Sequence, residues 1–292
     1  MRIALIGADG QLGSDLIPAL RREDVSPLFY PEFDVTRGRE ARETLESLRP
    51  DVVINTAAYH RVDECEDHIR EAFLVNAFAV RDLALMCRDR GIVMVHFSTD
   101  YVFDGRKGEP YVEEDPPFPL SVYGASKLAG EFFIRGICEK YFLVRTCGLY
   151  GQAGCREKGM NFVEAMVTLE KAGKPLRVVD DQWVTPTSTE ELAERVAALI
   201  RTTEFGLYHL TNEGCCTWHE FADAIFSLLG KTVEITPVDT ATFGAKARRP
   251  AFSVLENKRA KAIGLAPFSP WRDALKNYLE KRGFACPTVR DA

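Results

Sequence analysis

Short aliphatic runs alternate along this chain with longer segments whose apolar residues recur every three or four positions. Ile3-Ala4-Leu5-Ile6, Val52-Val53-Ile54 and residues 93–97 are runs of the first kind, and Val25 to Phe29 adds another. Helical periodicity falls near 12–21, 39–48 and 69–88. Strand and helix in alternation predict a parallel sheet covered on both faces, a doubly wound α/β fold. A helix after Tyr123, a strand at Phe142-Leu143-Val144-Arg145, and strand candidates at Arg177-Val178-Val179 and Leu207-Tyr208-His209-Leu210 carry that pattern to about residue 212. Beyond it the chain changes character, with helices near 217–229 and 270–281 and an isolated strand at Val233-Glu234-Ile235. Gly151, Gly154 and Gly159 punctuate the chain before a helical pattern from Phe162 to Lys171. The expected division is a larger lobe of 1–150 and about 176–212, and a smaller α/β lobe of about 151–175 and 213–292. Ligands of open α/β sheets bind beyond the carboxyl ends of the strands, so the crevice between the lobes is the expected site.

Composition narrows the classes of partner. The 292 residues carry 37 Lys plus Arg against 43 Asp plus Glu, a formal charge of -6, which argues against nucleic acid and anionic membrane as partners. A local basic pocket for a small anion fits that balance. No apolar stretch approaches the roughly 18 residues of a membrane span, and the first residues show no secretory leader, so a cytoplasmic location is expected. The eight cysteines include no C-x-x-C pair, which predicts reduced residues rather than zinc ligands, and the final 287–292 reads as a frayed tail.

Chemistry enters with Gly7-Ala8-Asp9-Gly10-Gln11-Leu12-Gly13, a G-x-x-G-x-x-G run between the first strand and the first helix. One glycine allows a tight turn, another lets backbone approach a pyrophosphate, and a third lets the helix pack on the strand. A dinucleotide is the natural ligand, bound through Gly7, Gly10, Gln11, Leu12 and Gly13. The second strand ends at Phe29-Tyr30-Pro31 rather than at an acid that would bond a ribose 2′-hydroxyl, so NADH and NADPH both remain open. Asp34, in Asp34-Val35-Thr36, either faces adenine or caps the following helix. Asn55-Thr56-Ala57-Ala58-Tyr59 leaves the same sheet edge with small residues that let a dinucleotide pass.

Ser98-Thr99-Asp100-Tyr101 ends another strand, and Tyr123-Gly124-Ala125-Ser126-Lys127 opens the next helix. Tyr123 and Lys127, at i and i+4, share a helix face, where an ammonium would lower the phenol pKa and ready it for proton transfer. Thr99 would hold the same substrate oxygen that Tyr123 protonates.

In this order the motifs resemble those of extended short-chain dehydrogenases/reductases. Phe97 to Gly105 (FSTDYVFDG), Tyr123 to Glu131 (YGASKLAGE), Asp181-Gln182 with Pro186-Thr187, and Arg249-Pro250 before Leu255 and Asn257 look like the dTDP-4-dehydrorhamnose reductase family. The resemblance implies a Rossmann-like dinucleotide-binding lobe and a sugar-nucleotide lobe. It implies that reduced nicotinamide delivers hydride to C4 of a dTDP-linked 4-keto-6-deoxysugar while Tyr123 delivers the proton. It places Gly10-Gln11-Leu12 at the pyrophosphate, Asp34-Val35 at the adenosine, Ala57-Ala58-Tyr59 along the cofactor, and Tyr123 and Lys127 also at the nicotinamide ribose. Thr99 and Asp100 would hold the sugar. Gly148 stands where the family commonly has a tryptophan against the sugar, and His60-Arg61 follow Tyr59 where it often has Thr-Ala. The resemblance further implies a homodimer, with Mg2+ in some members, for which Asp15 and Glu190 are the nearest candidates. Two other readings share these residues: a non-catalytic nucleotide-binding subunit resembling the methionine adenosyltransferase β subunit, and a nucleotide-sugar epimerase or dehydratase. Intact Thr99, Tyr123 and Lys127 oppose the first, and Asp100-Tyr101 does not match the Asp-Glu pair of the dehydratases.

Overall fold

The computed structural model describes residues 1–153 and 159–284, so Gly154, Cys155, Cys286 and the 287–292 tail lie outside the described residues. In chain order the first half contains β1 (Arg2–Ile6), α1 (Gln11–Ala19), β2 (Asp24–Leu28), α2 (Gly38–Leu48), β3 (Val52–Asn55), α3 (Val62–Cys65), α4 (Ile69–Phe73), α5 (Ala79–Arg90), β4 (Val93–Thr99), α6 (Val122–Ile137) and β5 (Tyr141–Thr146). The second half contains β6 (Leu149–Tyr150), α7 (Phe162–Lys171), β7 (Leu176–Val179), β8 (Trp183–Val184), β9 (Thr187–Ser188), α8 (Thr189–Leu199), β10 (Gly206–His209), β11 (Cys216–Thr217), α9 (Trp218–Leu228), β12 (Ile235–Val238), α10 (Thr240–Phe243), α11 (Lys258–Ala262) and α12 (Trp271–Lys281).

Six strands form one parallel sheet in the order β10-β5-β4-β3-β1-β2. The aliphatic runs are buried on both faces, as a doubly wound sheet requires. Ile3, Leu5, Val95 and Phe142 pack under α1 and α8, while Ala4, Ile6, Val53 and Leu143 pack under α2 and α5. The chain steps from β1 outward to β2 and then returns to β3 on the other side, so β1 and β3 flank the topological switch point. Both the glycine loop and the Ala57-Ala58-Tyr59 segment leave the sheet there. Pro27 is accommodated because β2 is an edge strand.

The smaller lobe has its own core, in which Val163, Phe221, Ile225 and Leu279 pack beneath the strand pair β7 and β12. This corrects one boundary. The expected strand at Arg177-Val178-Val179 exists as β7, but it pairs with β12 in the smaller lobe rather than with the large sheet. The β12 partner lies at Ile235–Val238, slightly beyond the expected Val233-Glu234-Ile235, and is not isolated. Local pattern identifies a buried strand but not which sheet will receive it. α8 and β10 return the chain to the large lobe, and α11 packs against β10 with Ala260 and Phe268 in the same core.

The helical pattern of 69–88 is also interrupted. A π-turn at Leu74–Phe78 separates α4 from α5 and turns Asn76 into the interior. No helix among the described residues is long and apolar enough to cross a membrane. No disulfide joins any of the six described cysteines.

Candidate active site in the cleft between the lobes

The glycine loop is shaped by contacts that exclude side chains. Gly7 adopts φ +74°, and a Cβ there would lie 2.6 Å from Thr56 Oγ1. A Cβ on Gly13 would lie 2.2 Å from the Gly7 carbonyl oxygen and 2.8 Å from Ala8 Cα, so α1 approaches the β1 exit only because residue 13 is glycine. Gly10 is the N-cap of α1 and supplies no side-chain cap, which leaves first-turn N–H groups for a ligand. Gln11 Oε1 is buried there without a hydrogen-bond partner. The Leu12 side chain belongs to the core, so Leu12 offers the loop its backbone alone. This cradle fits a dinucleotide pyrophosphate. Gly13→Ala, which must displace loop backbone, is expected to weaken NADPH binding at least tenfold and to lower the melting temperature; a fluorescence titration and a thermal melt check both, and wild-type affinity would contradict the close-approach argument.

At the second strand exit, Asp34 Oδ1 accepts hydrogen bonds from Thr36 N and Thr36 Oγ1 at 2.9 and 2.7 Å. These bonds close an Asx turn ahead of α2, whose N-cap is Arg37 without a side-chain cap, so the expected capping of that helix by Asp34 does not occur; Val35 is buried in the core. The next exit is pinned to the glycine loop: Thr56 Oγ1 donates to the Ile6 and Gly7 carbonyls at 2.8 and 3.0 Å. Ala57 N donates to Asn55 Oδ1 at 3.1 Å, and Ala58 follows at the same exit. Asn76 clips the segment by accepting from Tyr59 N and donating to the Tyr59 carbonyl, both at 2.9 Å. The same Asn76 amide donates to Ser126 Oγ at 3.0 Å, and Ser126 donates to the Tyr123 carbonyl at 2.8 Å. The π-turn thus ties the β3 exit to the helix that bears Tyr123.

Thr99, Tyr123 and Lys127 come together at the carboxyl end of β4. Ser121 caps α6 by accepting from Gly124 N at 3.2 Å, which fixes the start of the helix and hence the facing of Tyr123. Thr99 Oγ1 donates to Asp100 Oδ1 at 3.0 Å and accepts from Tyr101 N at 3.1 Å. The expected lowering of the Tyr123 pKa does not occur. Enclosure by protein raises it, the Asp100 carboxylate raises it further, and the Thr99 hydroxyl opposes both. Instead the lysine shifts: burial pulls Lys127 down to about 8, against the opposing charge of Glu131. A raised phenol pKa keeps Tyr123 protonated at neutral pH, the state required of a proton donor.

The expected sugar ligands take different places. Asp100 is buried, and its Oδ2 accepts from Ser253 Oγ at 2.6 Å and from the Cys147 thiol at 3.1 Å, in addition to the Thr99 bond. Its carboxylate ties the strand end to the smaller lobe. Gly148 adopts φ +54°, and a Cβ there would lie 3.2 Å from Pro186 Cα and 3.4 Å from the Trp218 indole. A large side chain at 148 would collide with neighbours, and Trp218 supplies an aromatic surface beside it. Asp15 accepts from Thr189 and Glu190 pairs with Lys281, so both proposed Mg2+ carboxylates have protein partners. Among the described residues no group of three or more His, Cys, Asp or Glu could hold a metal ion.

Between the lobes lies a cavity of about 760 Å³ lined by Arg61, Tyr101, Phe162, Arg177, Trp218 and Arg249, among others. Three arginines and several aromatics suit an anionic ligand with a flat apolar part. Tyr101 reaches it from the side of Tyr123, the two rings 6.0 Å apart in an edge-on contact. Arg249 is held by Asp63 through two bonds of 3.1 and 2.8 Å, a link across the lobes that also keeps the Asp63 carboxyl below its ordinary pKa. Asp181 accepts from Thr240 N at 3.0 Å, Gln182 Nε2 donates to Thr240 Oγ1 at 2.9 Å, and Asn257 Oδ1 accepts from Thr211 N at 2.9 Å. Of these motif residues Gln182 lines the cavity, whereas Asp181 and Asn257 stand behind its lining. Asn76, His96, Trp218 and Ser253 were not legible as site residues, and Asn55 only as the start of the β3 exit. Asn55 and His96 carry a signal in retrospect, as polar residues within otherwise aliphatic runs.

Comparison with known proteins identifies the family. A family model described as the RmlD substrate binding domain matches residues 1–283. The spore coat polysaccharide biosynthesis protein SpsK of Bacillus subtilis (strain 168) is 39% identical over 287 residues, covering 98% of this chain and 99% of its own. A dTDP-4-dehydrorhamnose reductase of Streptomyces griseus is 41% identical over 283 residues, covering 94% of this chain and 91% of its own. The crystal structure of dTDP-4-dehydrorhamnose reductase from Bacillus anthracis str. Ames, in complex with NADP, superposes with a TM-score of 0.92 at 36% identity, covering 96% of this chain and 99% of its own.

Proposed function

We infer the activity from a plain premise: this chain belongs to the RmlD substrate binding domain family. It is an NAD(P)H-dependent oxidoreductase that reduces the C4 keto group of a dTDP-4-keto-6-deoxysugar, with dTDP-4-dehydrorhamnose as substrate and dTDP-L-rhamnose as product. The observation that carries this reading is the meeting of Thr99, Tyr123 and Lys127 between a glycine loop shaped for a pyrophosphate and a cleft that presents arginines and aromatics.

In this reading the backbone of Gly7, Gly10, Gln11, Leu12 and Gly13 holds the cofactor pyrophosphate. Asp34 and Val35 lie at its adenosine end, and Ala57, Ala58 and Tyr59 run alongside it. When bound, reduced nicotinamide supplies hydride to the sugar C4. Tyr123 donates its phenolic proton to the C4 oxygen as that oxygen takes up negative charge. The Thr99 hydroxyl, turning from Asp100, bonds the same oxygen and orients the carbonyl. Lys127 stabilises the tyrosinate left behind. Asp100 acts as a positioning residue, setting Thr99 and holding the smaller lobe through Ser253. Trp218, beside Gly148, gives the sugar nucleotide its flat apolar contact, and the cleft arginines meet its diphosphate.

The test combines purified protein and dTDP-4-dehydrorhamnose with NADPH and NADH in separate reactions. Loss of reduced-cofactor absorbance with an equal amount of dTDP-L-rhamnose formed is expected, and the two rates rank the cofactors. A protein that binds cofactor but oxidises neither would overturn the assignment.

A further inference from the structure

A row of three buried polar side chains runs behind the catalytic pair. Asn55 ends β3, His96 lies beside it in register on β4, and Lys127 covers both from α6. Each is almost wholly buried, with 1%, 1% and 2% of its surface exposed. Asn55 Nδ2 lies 3.2 Å from His96 Nδ1, and His96 Nε2 lies 3.3 Å from Lys127 Nζ.

The directions of these bonds follow from counting protons. Ala57 N–H must donate, and it donates to Asn55 Oδ1 at 3.1 Å. That fixes the orientation of the amide, so Nδ2 is the atom facing the imidazole, and it too must donate. His96 Nδ1 is then the acceptor. A neutral imidazole with an accepting Nδ1 carries its proton on Nε2, and that N–H points at Lys127. Burial and the neighbouring lysine keep His96 well below its ordinary pKa against an opposing hydrogen bond at the Asn55 backbone, so the ring stays neutral.

We propose that Asn55 and His96 are positioning residues that aim an N–H rather than a lone pair at Lys127, and so favour its amine over its ammonium. The inference rests on the reading of Lys127 as the partner of Tyr123. Its consequence is a route for the proton. After Tyr123 has protonated the product oxygen, a proton leaves the Lys127 ammonium for the tyrosinate oxygen, the resulting amine accepts a hydrogen bond from the His96 N–H, and a proton from solvent water then restores the ammonium. A permanently charged lysine would stabilise the tyrosinate without reprotonating it.

The other groups facing this row are few. Glu131, one turn further along α6, favours the ammonium, but Arg145 of β5 holds that carboxylate at 2.9 and 2.6 Å. Tyr123 lies on the same helix, and Asp100 acts on Tyr123 from the end of β4.

The test needs no substrate, so it stands apart from the assigned reaction. Nitrogen NMR of protein labelled at the histidine ring should show His96, identified by its loss in His96→Gln, as the Nε2–H tautomer throughout pH 6 to 9. Carbon NMR of labelled lysine should show one Cε signal, absent from Lys127→Met, with a midpoint near 8. In His96→Gln an amide oxygen can face the ammonium without adding charge, and the Lys127 midpoint should rise by one pH unit or more. A proton on His96 Nδ1, or a Lys127 midpoint unmoved in a folded His96→Gln protein, would overturn the proposal; if that variant does not fold, the tautomer of the unaltered protein decides.

Discussion

Tyr123→Phe is expected to lower kcat by roughly 10² to 10⁴-fold, the usual contribution of a positioned general acid, with cofactor affinity nearly unchanged. The substitution removes one oxygen and leaves the ring, so the edge-on contact with Tyr101 and the Ser126 bond to the Tyr123 carbonyl both persist. The pyrophosphate cradle is built by Gly7, Gly10 and Gly13 and is untouched. Loss should fall on kcat and kcat/KM together, because the proton is transferred only as the carbonyl is reduced. The raised phenol pKa gives this prediction a sign: at neutral pH the donor is already protonated, so acidification should not rescue the variant or markedly accelerate the parent. Steady-state kinetics with a parallel binding titration measure both parts, and undiminished turnover in Tyr123→Phe would remove the phenol from the chemistry.

The largest expected loss of stability lies one helical turn beyond Lys127. Arg145 and Glu131 are both fully buried and meet through two parallel bonds of 2.9 and 2.6 Å. The guanidinium also lies over the Phe103 ring at 5.0 Å. Glu131→Ala leaves a guanidinium in the core without its carboxylate and should cost about 3 to 5 kcal/mol, a large share of the roughly 5 to 15 kcal/mol that holds a typical domain together. Replacing both residues, Glu131→Leu with Arg145→Met, removes both buried charges and should be less damaging than either truncation. Denaturant unfolding of the single and double variants measures this. A Glu131→Ala protein as stable as the parent would show that water or another group satisfies Arg145.

These two sites mark the limits of what the sequence disclosed. The large sheet was legible because β1, β3, β4 and β5 are aliphatic runs buried on both faces, a pattern with few alternatives. The glycine loop was legible because its spacing, strand before and helix after, is itself the geometric requirement. Tyr123 and Lys127 followed from helical period and Thr99 from its place at a strand end. The partnership of β7 with β12 did not, because pairing depends on tertiary packing across more than fifty residues of chain. Nor did the interruption at Leu74–Phe78, where the apolar period reads through the π-turn. The direction of the Tyr123 shift was misread because proximity to Lys127 is visible in a sequence while enclosure and the facing of Asp100 are not. Asp100 illustrates the same limit, since its neighbour Thr99 marks it as a site residue but only the fold brings Ser253 to its carboxylate.

The most direct measurement follows the hydrogen. Reduced cofactor carrying deuterium at the transferred position of nicotinamide C4 is incubated with the protein and dTDP-4-dehydrorhamnose, and the sugar product is examined by NMR and mass spectrometry. One deuterium at C4 of dTDP-L-rhamnose for each cofactor oxidised is the predicted result. Product without deuterium, or a sugar altered with no net oxidation of the cofactor, would contradict reduction at this site.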